Sequence, residues 1–197
     1  MSAIRILPPY ERRLLSDHLK RLDPEDLHLR FGGYLSPSAV ERYVESLSWM
    51  SGVVLVWEVD GEVRGCGELA NDRVVLPSAA EFAVTIERAW QGQGAGLALM
   101  HAALLVARNR GLRRVHLLCL AENPRMMRLA RACGAKLTWE EGEIAGEIAL
   151  PPANPLSLAQ EGVQLLGGLA AHSLHDVRRS AAKSTSHPFT DWAIPRA

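Results

Sequence analysis

A glycine-rich segment at residues 91–96 constrains the chain more than any other feature. It reads Gln-Gly-Gln-Gly-Ala-Gly and joins the apolar run 81–86 to the long apolar segment 97–107. Glycine adopts positive φ and places no Cβ between the backbone and a ligand, so several amide N–H groups can converge on one anion. A helix that follows would aim its unpaired N-terminal donors at the same anion. The segment predicts a strand, a phosphate-binding turn and a helix; a turn without a ligand is the alternative.

Two better-known glycine loops do not fit this segment. Counted from Gly92, the dinucleotide fingerprint Gly-x-Gly-x-x-Gly needs a third glycine where Leu97 stands. A Walker loop needs Gly-Lys followed by Ser or Thr, whereas Gly96 precedes Leu97 and Ala98. The remaining pattern is Gln-x-x-Gly-x-Gly, placed directly after a predicted strand that ends at Ile86.

Composition and charge exclude several classes of protein. With 197 residues, 48% of them hydrophobic, the chain has the size and composition of one soluble domain, with or without a tail. Its 22 basic and 22 acidic residues cancel, so the excess of positive charge that nucleic-acid binding needs is missing. No apolar run reaches the ~18 residues of a membrane span. We therefore expect neither nucleic acid nor membrane as a partner.

The cysteines and the N-terminus indicate the compartment. Three cysteines, an odd number, are widely spaced in apolar sequence, which fits neither a disulfide framework nor a zinc site: Cys66, Cys119 and Cys133. Pro8 and Pro9 come too early for the apolar core of a signal peptide. These features favour a reducing, cytoplasmic location.

Hydrophobic periodicity predicts an α/β fold. The elements follow in the order strand, two helices, three strands, helix, strand, helix and two strands. Asp60 and Gly61 form the preferred two-residue turn of a hairpin, and Ser38 and Glu41 have the spacing of a capping box. Residues 23–31 are predicted to be a short turn, with a plausible N-cap and a proline at its start and two glycines after it. We expect a mixed, mostly antiparallel sheet of about seven strands flanked by helices. The predicted elements are 3–7, 10–22, 38–47, 53–59, 62–69, 80–86, 97–107, 114–120, 122–133, 136–139 and 143–150.

The pattern weakens after residue 152. We interpret residues 1–152 as one domain and residues 153–197 as a C-terminal tail that is partly helical or poorly ordered. Helical propensity over residues 156–174 is interrupted by three glycines, Gly162, Gly167 and Gly168. The tail is either a dimerisation or docking element, which would make the protein a homodimer, or a loosely ordered terminus.

Several stretches between residues 3 and 150 resemble the GNAT acetyltransferases, which bind acetyl-CoA. Residues 81–86 with 90–96 are similar to the cofactor strand and phosphate arm of that family, and residues 120–134 to the second half of its cofactor site. Residues 21–31 resemble the opening of the Pat-type protein lysine acetyltransferases. The resemblance implies a GNAT fold and acetyl-CoA as cosubstrate.

The resemblance also implies the binding residues. The backbone of Val84 and Ile86 would pair with the pantetheine arm, and Asn123 would bind the same arm through its side-chain amide, unless it only caps the helix before Pro124. The diphosphate would be held by the glycine-rich segment, namely Gln91, Gly92, Gln93, Gly94, Ala95 and Gly96.

Acetyl transfer to an amine needs a base. A lysine with a pKa of ~10.4 is neutral in only about one molecule in ~2,500 at pH 7, a gap of roughly 4.6 kcal/mol. Glu81, which we expect to be partly buried at the start of its strand, resembles the catalytic Glu of Pat-type enzymes. Glu68 on the neighbouring strand is the second candidate, and a surface Glu without function is the alternative for Glu81. A Tyr that many GNAT enzymes use to protonate the thiolate is replaced by Ala130.

Three functions remain open. The leading one is an N-acetyltransferase that uses acetyl-CoA and acts on a protein lysine; a small amine as acceptor is the second, and a non-catalytic module that senses acyl-CoA is the third. An open acidic groove beside Glu81 would favour a protein lysine, and a closed pocket a metabolite. His172 and His175 lie in the tail and are interpreted as a surface pair rather than a metal site, so no metal is predicted.

Overall fold

A computed structural model of the chain describes residues 2–71, 78–140 and 142–184. The strands are β1 (Ser2–Ile6), β2 (Val53–Val59), β3 (Glu62–Asn71), β4 (Ala79–Ile86), β5 (Arg114–Leu120), β6 (Lys136–Glu140) and β7 (Glu143–Ala149). The helices are α1 (Arg12–Lys20), α2 (Pro24–Phe31), α3 (Pro37–Ser46), α4 (Ala95–Asn109), α5 (Pro124–Ala132) and α6 (Pro155–Ser184). In the described ranges no helix is long and apolar enough to cross a bilayer.

All seven strands form one sheet in the order β1-β2-β3-β4-β5-β7-β6. Among the strands of the described ranges, only β4 and β5 pair in parallel, and the other neighbours are antiparallel. Between β2 and β3, Asp60 (φ 48°) and Gly61 (φ 78°) both have positive φ, as a two-residue hairpin turn requires. The predicted α/β fold, with seven mostly antiparallel strands flanked by helices, is confirmed.

Two hydrophobic cores lie on opposite faces of the sheet. The larger is centred on α4, whose Leu99, Met100 and Ala103 are fully buried against Phe82 of β4 and Leu117 of β5. The smaller packs side chains of α1 and α3 on β2 and β3. On that second face β5 and β6 still present exposed side chains: His116, Leu118, Lys136 and Thr138. The helices therefore cover the two halves of the sheet unequally.

Three helices, not two, separate β1 from β2. Residues 24–31, predicted to be a short turn, form α2, because Pro24 occupies the first helical turn and Gly32 ends the helix at φ 71°. The predicted capping box is also wrong. Ser36 caps α3 by accepting a hydrogen bond from the amide of Ala39 at 3.2 Å.

The expected interruption of the tail helix does not occur. α6 is continuous and packs against β1. Gly168 makes this contact possible, since a Cβ at this position would lie 2.1 Å from the carbonyl oxygen of Ile4. The glycine that lowers helical propensity thus allows the close approach of helix and strand. The division into residues 1–152 and 153–197 stays a prediction.

A buried polar network fixes the end of β4. Glu87 accepts hydrogen bonds from Arg21 Nε and Arg64 Nη1, both at 2.9 Å, and its Oε1 lies 3.2 Å from Nδ1 of the fully buried His18. The other nitrogen of His18 lies 3.0 Å from the Thr85 hydroxyl. Burial alone would raise the pKa of Glu87, but the hydrogen bonds from His18, Arg64 and Arg21 lower it to about 2.

We predict that this network stabilises the fold in a pH-dependent way. The pKa of Glu87 falls from 4.5 to about 2 on folding, so its stabilisation is complete above pH 4.5 and is lost as the pH falls towards 2. Glu87→Gln should lower the free energy of unfolding by about 3 kcal/mol at pH 7. In urea denaturation at pH 7, 4 and 3, the gap between wild type and variant should shrink with pH; a gap independent of pH would contradict the prediction.

Candidate functional site

The site lies where two parallel strands separate. Among the described residues, β4 pairs with β5 only at Ala79, Ala80 and Glu81, although β4 continues to Ile86 and β5 to Leu120. Beyond these pairs the strands diverge, and a cavity of about 570 Å³ opens between them. The cavity extends from Glu81 to the glycine-rich segment 91–96, which we call the glycine loop.

The edge of β4 that faces this gap carries backbone groups without a strand partner. The amide of Glu87 donates to the carbonyl of Arg64 at 3.0 Å, and hydrogen-bonded pairs alternate along an antiparallel ladder. The backbone groups of Thr85 and Ala83 therefore face β3, and those of Val84 and Ile86 face the gap. The structure thus places both predicted strand residues on the edge of the cavity.

The glycine loop presents its amides to the same cavity. Gly92 (φ 76°) and Gly94 (φ 83°) have left-handed backbone conformations, and α4 begins directly afterwards at Ala95. The amide of Ala98 makes the first helical hydrogen bond, to the carbonyl of Gly94 at 3.0 Å. Within the described residues, none of the amides of residues 92–97 donates a hydrogen bond. These donors, at the positive end of α4, form an anion site.

The two glutamine side chains of the loop make hydrogen bonds within the protein. Nε2 of Gln91 donates to the carbonyl of Ile86 at 2.9 Å, and its Oε1 accepts a hydrogen bond from Arg125. Nε2 of Gln93 donates to the carbonyl of Ala89 at 3.4 Å, and Gln93 does not line the cavity. The backbone, rather than these side chains, is thus what the loop offers to a ligand.

The opposite wall comes from β5 and α5. Asn123 lines the cavity and caps α5, because its Oδ1 accepts a hydrogen bond from the amide of Met126 at 3.0 Å. Leu129 also lines the cavity, and its Cδ2 would lie 3.7 Å from a Cβ at Gly96. The capping role of Asn123 is therefore observed, and the role towards a ligand stays a prediction.

The two candidate bases have different surroundings. Glu68 is buried; it accepts a hydrogen bond from the Tyr43 hydroxyl at 2.5 Å, and its Oε1 lies 3.5 Å from Arg30. Burial, followed by the charge of Glu68, raises the pKa of Tyr43. Glu81 lines the cavity and is exposed, not partly buried as we expected. No hydrogen bond or ion pair from another described residue engages Glu81.

Sequence reasoning missed three charged or polar residues of the site. Arg30 and Arg125 line the cavity, and Tyr43 binds both Arg30 and Glu68. Their partners are far away along the chain, so no local pattern marks them. Among the described residues, no group of three or more His, Cys, Asp or Glu side chains is placed to hold a metal. Nδ1 of His172 lies 3.0 Å from Glu58, and the side chain of His175 lies outside the described ones.

This geometry, a strand gap followed by an anion-binding loop, agrees with comparisons to known proteins. The model of the acetyltransferase (GNAT) family matches residues 23–135. The chain belongs to the GNAT acetyltransferase family. This chain is an N-acetyltransferase.

Individual relatives agree with the family. Acetyltransferase PA5475 of Pseudomonas aeruginosa is 32% identical over 136 residues, which cover 66% of this chain and 73% of that protein. The GNAT domain of S. lividans PAT has a TM-score of 0.66 at 23% identity, over 75% of this chain and 89% of that one. Spermidine N-acetyltransferase from Vibrio cholerae, in complex with CoA and spermine, has a TM-score of 0.60 at 20% identity, over 75% and 95%. The two structures show a shared fold.

The glycine loop yields a test of its backbone geometry. Gly94→Ala should cost about 1–2 kcal/mol of folding free energy, because φ is 83° there and an L-residue is strained in that region. Gly96→Ala is the matched control: its Cβ would meet only Leu129 at 3.7 Å, and alanine favours a helix. Urea denaturation of both variants measures the difference; equal stabilities would contradict the assigned loop conformation.

Proposed function

We propose that the protein transfers the acetyl group of acetyl-CoA to a lysine side chain of another protein, with Glu81 as the general base. The observation that carries this proposal is the position of Glu81. Its exposed carboxylate lies at the last residue pair before β4 and β5 separate, and it lines the cavity that ends at the glycine loop. The proposed base therefore lies in the wall of a cavity that is large enough for a cofactor.

The cavity fits the chemistry of acetyl-CoA. The gap-facing edge of β4 at Val84 and Ile86 has no strand partner among the described residues and offers donors and acceptors with peptide spacing, which suits the amides of a pantetheine arm. The carbonyl of Ile86 also accepts a hydrogen bond from Gln91 at 2.9 Å. The unpaired amides of the glycine loop suit a diphosphate. The related Vibrio cholerae enzyme is in complex with CoA, which supports the same cosubstrate here. When bound, acetyl-CoA supplies a thioester as the acetyl donor.

The residues of the chain then supply the proton transfer and charge stabilisation. Glu81 accepts the proton of the lysine ammonium, directly or through a water molecule, so that a neutral amine can attack the thioester. The amide of Val84, on the gap-facing edge of β4, is a donor for the oxyanion that develops on the thioester oxygen. Glu68 is less suited as a base, because Tyr43 and Arg30 already occupy its carboxylate.

The surface beside Glu81 favours a protein as the acceptor. The strand register places Glu81, His116 of β5, Glu147 of β7 and Lys136 of β6 in one row on one face of the sheet. Leu118, 50% exposed on the same face, also lines the cavity. This open surface carries two carboxylates, one lysine, one histidine and an exposed leucine. It suits a lysine-bearing protein segment better than it suits a small amine, because a small amine binds tightly only when enclosed.

The role of Glu81 can be tested by kinetics. Glu81→Gln should lower kcat about 100-fold or more, since general base catalysis contributes on that scale, and should leave the affinity for CoA nearly unchanged. Glu45→Gln, an exposed change on α3, is the control and should turn over like the wild type. Turnover of Glu81→Gln at the wild-type rate would remove Glu81 from the mechanism.

The acceptor class needs a separate experiment. We expect kcat/KM to be at least about 10-fold higher for lysines of folded proteins or peptides than for free lysine or spermidine, as measured by mass spectrometry. Leu118→Ser should raise KM for the protein acceptor, because apolar contact area is lost, and should leave KM for acetyl-CoA unchanged. If spermidine is the better substrate and is unaffected by Leu118→Ser, a small amine is the acceptor.

A further inference from the structure

The phosphates of CoA need positive charge, and the cavity lining supplies little of it. Two arginines, Arg30 and Arg125, are the basic residues among the described lining residues, which also include Asp26, Glu81 and Glu143. Arg30 lies at the Glu81 end, where it contacts Tyr43 and Glu68. Arg125 is therefore the cation available at the other end, where the glycine loop lies.

Arg125 reaches across the cavity from one wall to the other. It sits in the first turn of α5, and its Nη1 donates to Oε1 of Gln91, the first residue of the glycine loop. The same nitrogen lies 3.4 Å from Oδ1 of Asp26 on α2. The side chain is 49% exposed, so it can turn without a movement of the backbone. The guanidinium group thus lies at the mouth of the anion site, beside the unpaired amides.

We propose that Arg125 binds the diphosphate of CoA together with the amides of the glycine loop. This inference rests on the proposed use of acetyl-CoA. The partners of Arg125 in the ligand-free chain are replaceable. The Gln91 amide oxygen is a neutral acceptor, and the carboxylate of Asp26 also lies 3.4 Å from Arg88. A phosphate group accepts two parallel, charge-assisted hydrogen bonds from a guanidinium, each roughly twice as strong as a neutral one.

The position of Arg125 beside Gln91 favours the diphosphate of CoA over its 3′-phosphate as the group that Arg125 binds. Arg125 contacts the first residue of the loop, whose following amides converge on one anion. The 3′-phosphate belongs to the ribose beyond the diphosphate, so a group that touches Gln91 is placed for the inner phosphates.

Calorimetry with a series of ligands tests this role. The ligands are CoA, dephospho-CoA and S-acetylpantetheine, which has neither the diphosphate nor the 3′-phosphate. Arg125→Gln should weaken the binding of CoA and dephospho-CoA at least about 10-fold, with no change in the affinity for S-acetylpantetheine. Arg125→Lys keeps the charge but not the bidentate geometry, and should fall between the two. Arg128→Gln, at an exposed position of α5, is the matched control and should bind CoA like the wild type.

The outcomes test the role of Arg125 and the proposed use of acetyl-CoA separately. If wild-type protein binds CoA and Arg125→Gln binds it equally well, the inference about Arg125 is overturned, and the proposed function stands. An equal loss of affinity for S-acetylpantetheine would indicate a structural role of Arg125 and also overturns the inference. A penalty that disappears with dephospho-CoA would assign Arg125 to the 3′-phosphate instead of the diphosphate. Absence of CoA binding by the wild type would overturn the proposed function itself.

Discussion

The separation of β4 from β5 is the constraint on which the site depends. The backbone donors and acceptors of a strand inside a sheet normally form hydrogen bonds with the neighbouring strands, and buried groups left unpaired destabilise the fold. Here β4 loses its partner after Glu81, so that its edge at Val84 and Ile86 and the amides of the glycine loop all face one cavity. The network around Glu87 holds the end of β4 in place, and α4 begins within the same turn of chain. A peptide-like ligand with phosphates matches this set of groups.

The cavity has two chemically different ends, and α2 connects them. At one end lie the loop amides and Arg125; at the other lie Glu81 and Arg30, and Arg30 also contacts the buried Glu68. Asp26 and Arg30 are four residues apart on α2, so they lie on one side of that helix, and both line the cavity. A single short helix therefore contributes an acidic group near the anion site and a basic group near the proposed base.

Much of the fold follows from local patterns, and much of the site does not. Asp60-Gly61 identifies the hairpin, and Gly92 and Gly94 mark the turn before α4, because positive φ strongly selects these residue types. α2 was missed because eight residues give too little periodicity. Gly168 was misread as a helix breaker. A glycine is needed there because the helix contacts Ile4, which lies 164 positions earlier in the chain (168 − 4) and cannot be recognised from local sequence. Arg125 could have been noted as a basic residue near Asn123, but its contacts with Gln91 and Asp26 depend on the folded chain.

Hydrogen–deuterium exchange in the presence and absence of CoA tests the central claim most directly. If the backbone of the gap and the glycine loop binds the cofactor, CoA should slow exchange at the amide of Val84, which faces the gap. It should also slow exchange at the amides of residues 92–97, which donate no hydrogen bond within the described residues. Exchange in the Asp60–Gly61 hairpin turn, outside the cavity lining, should stay the same. Unchanged exchange at Val84 and residues 92–97 at saturating CoA would contradict the account.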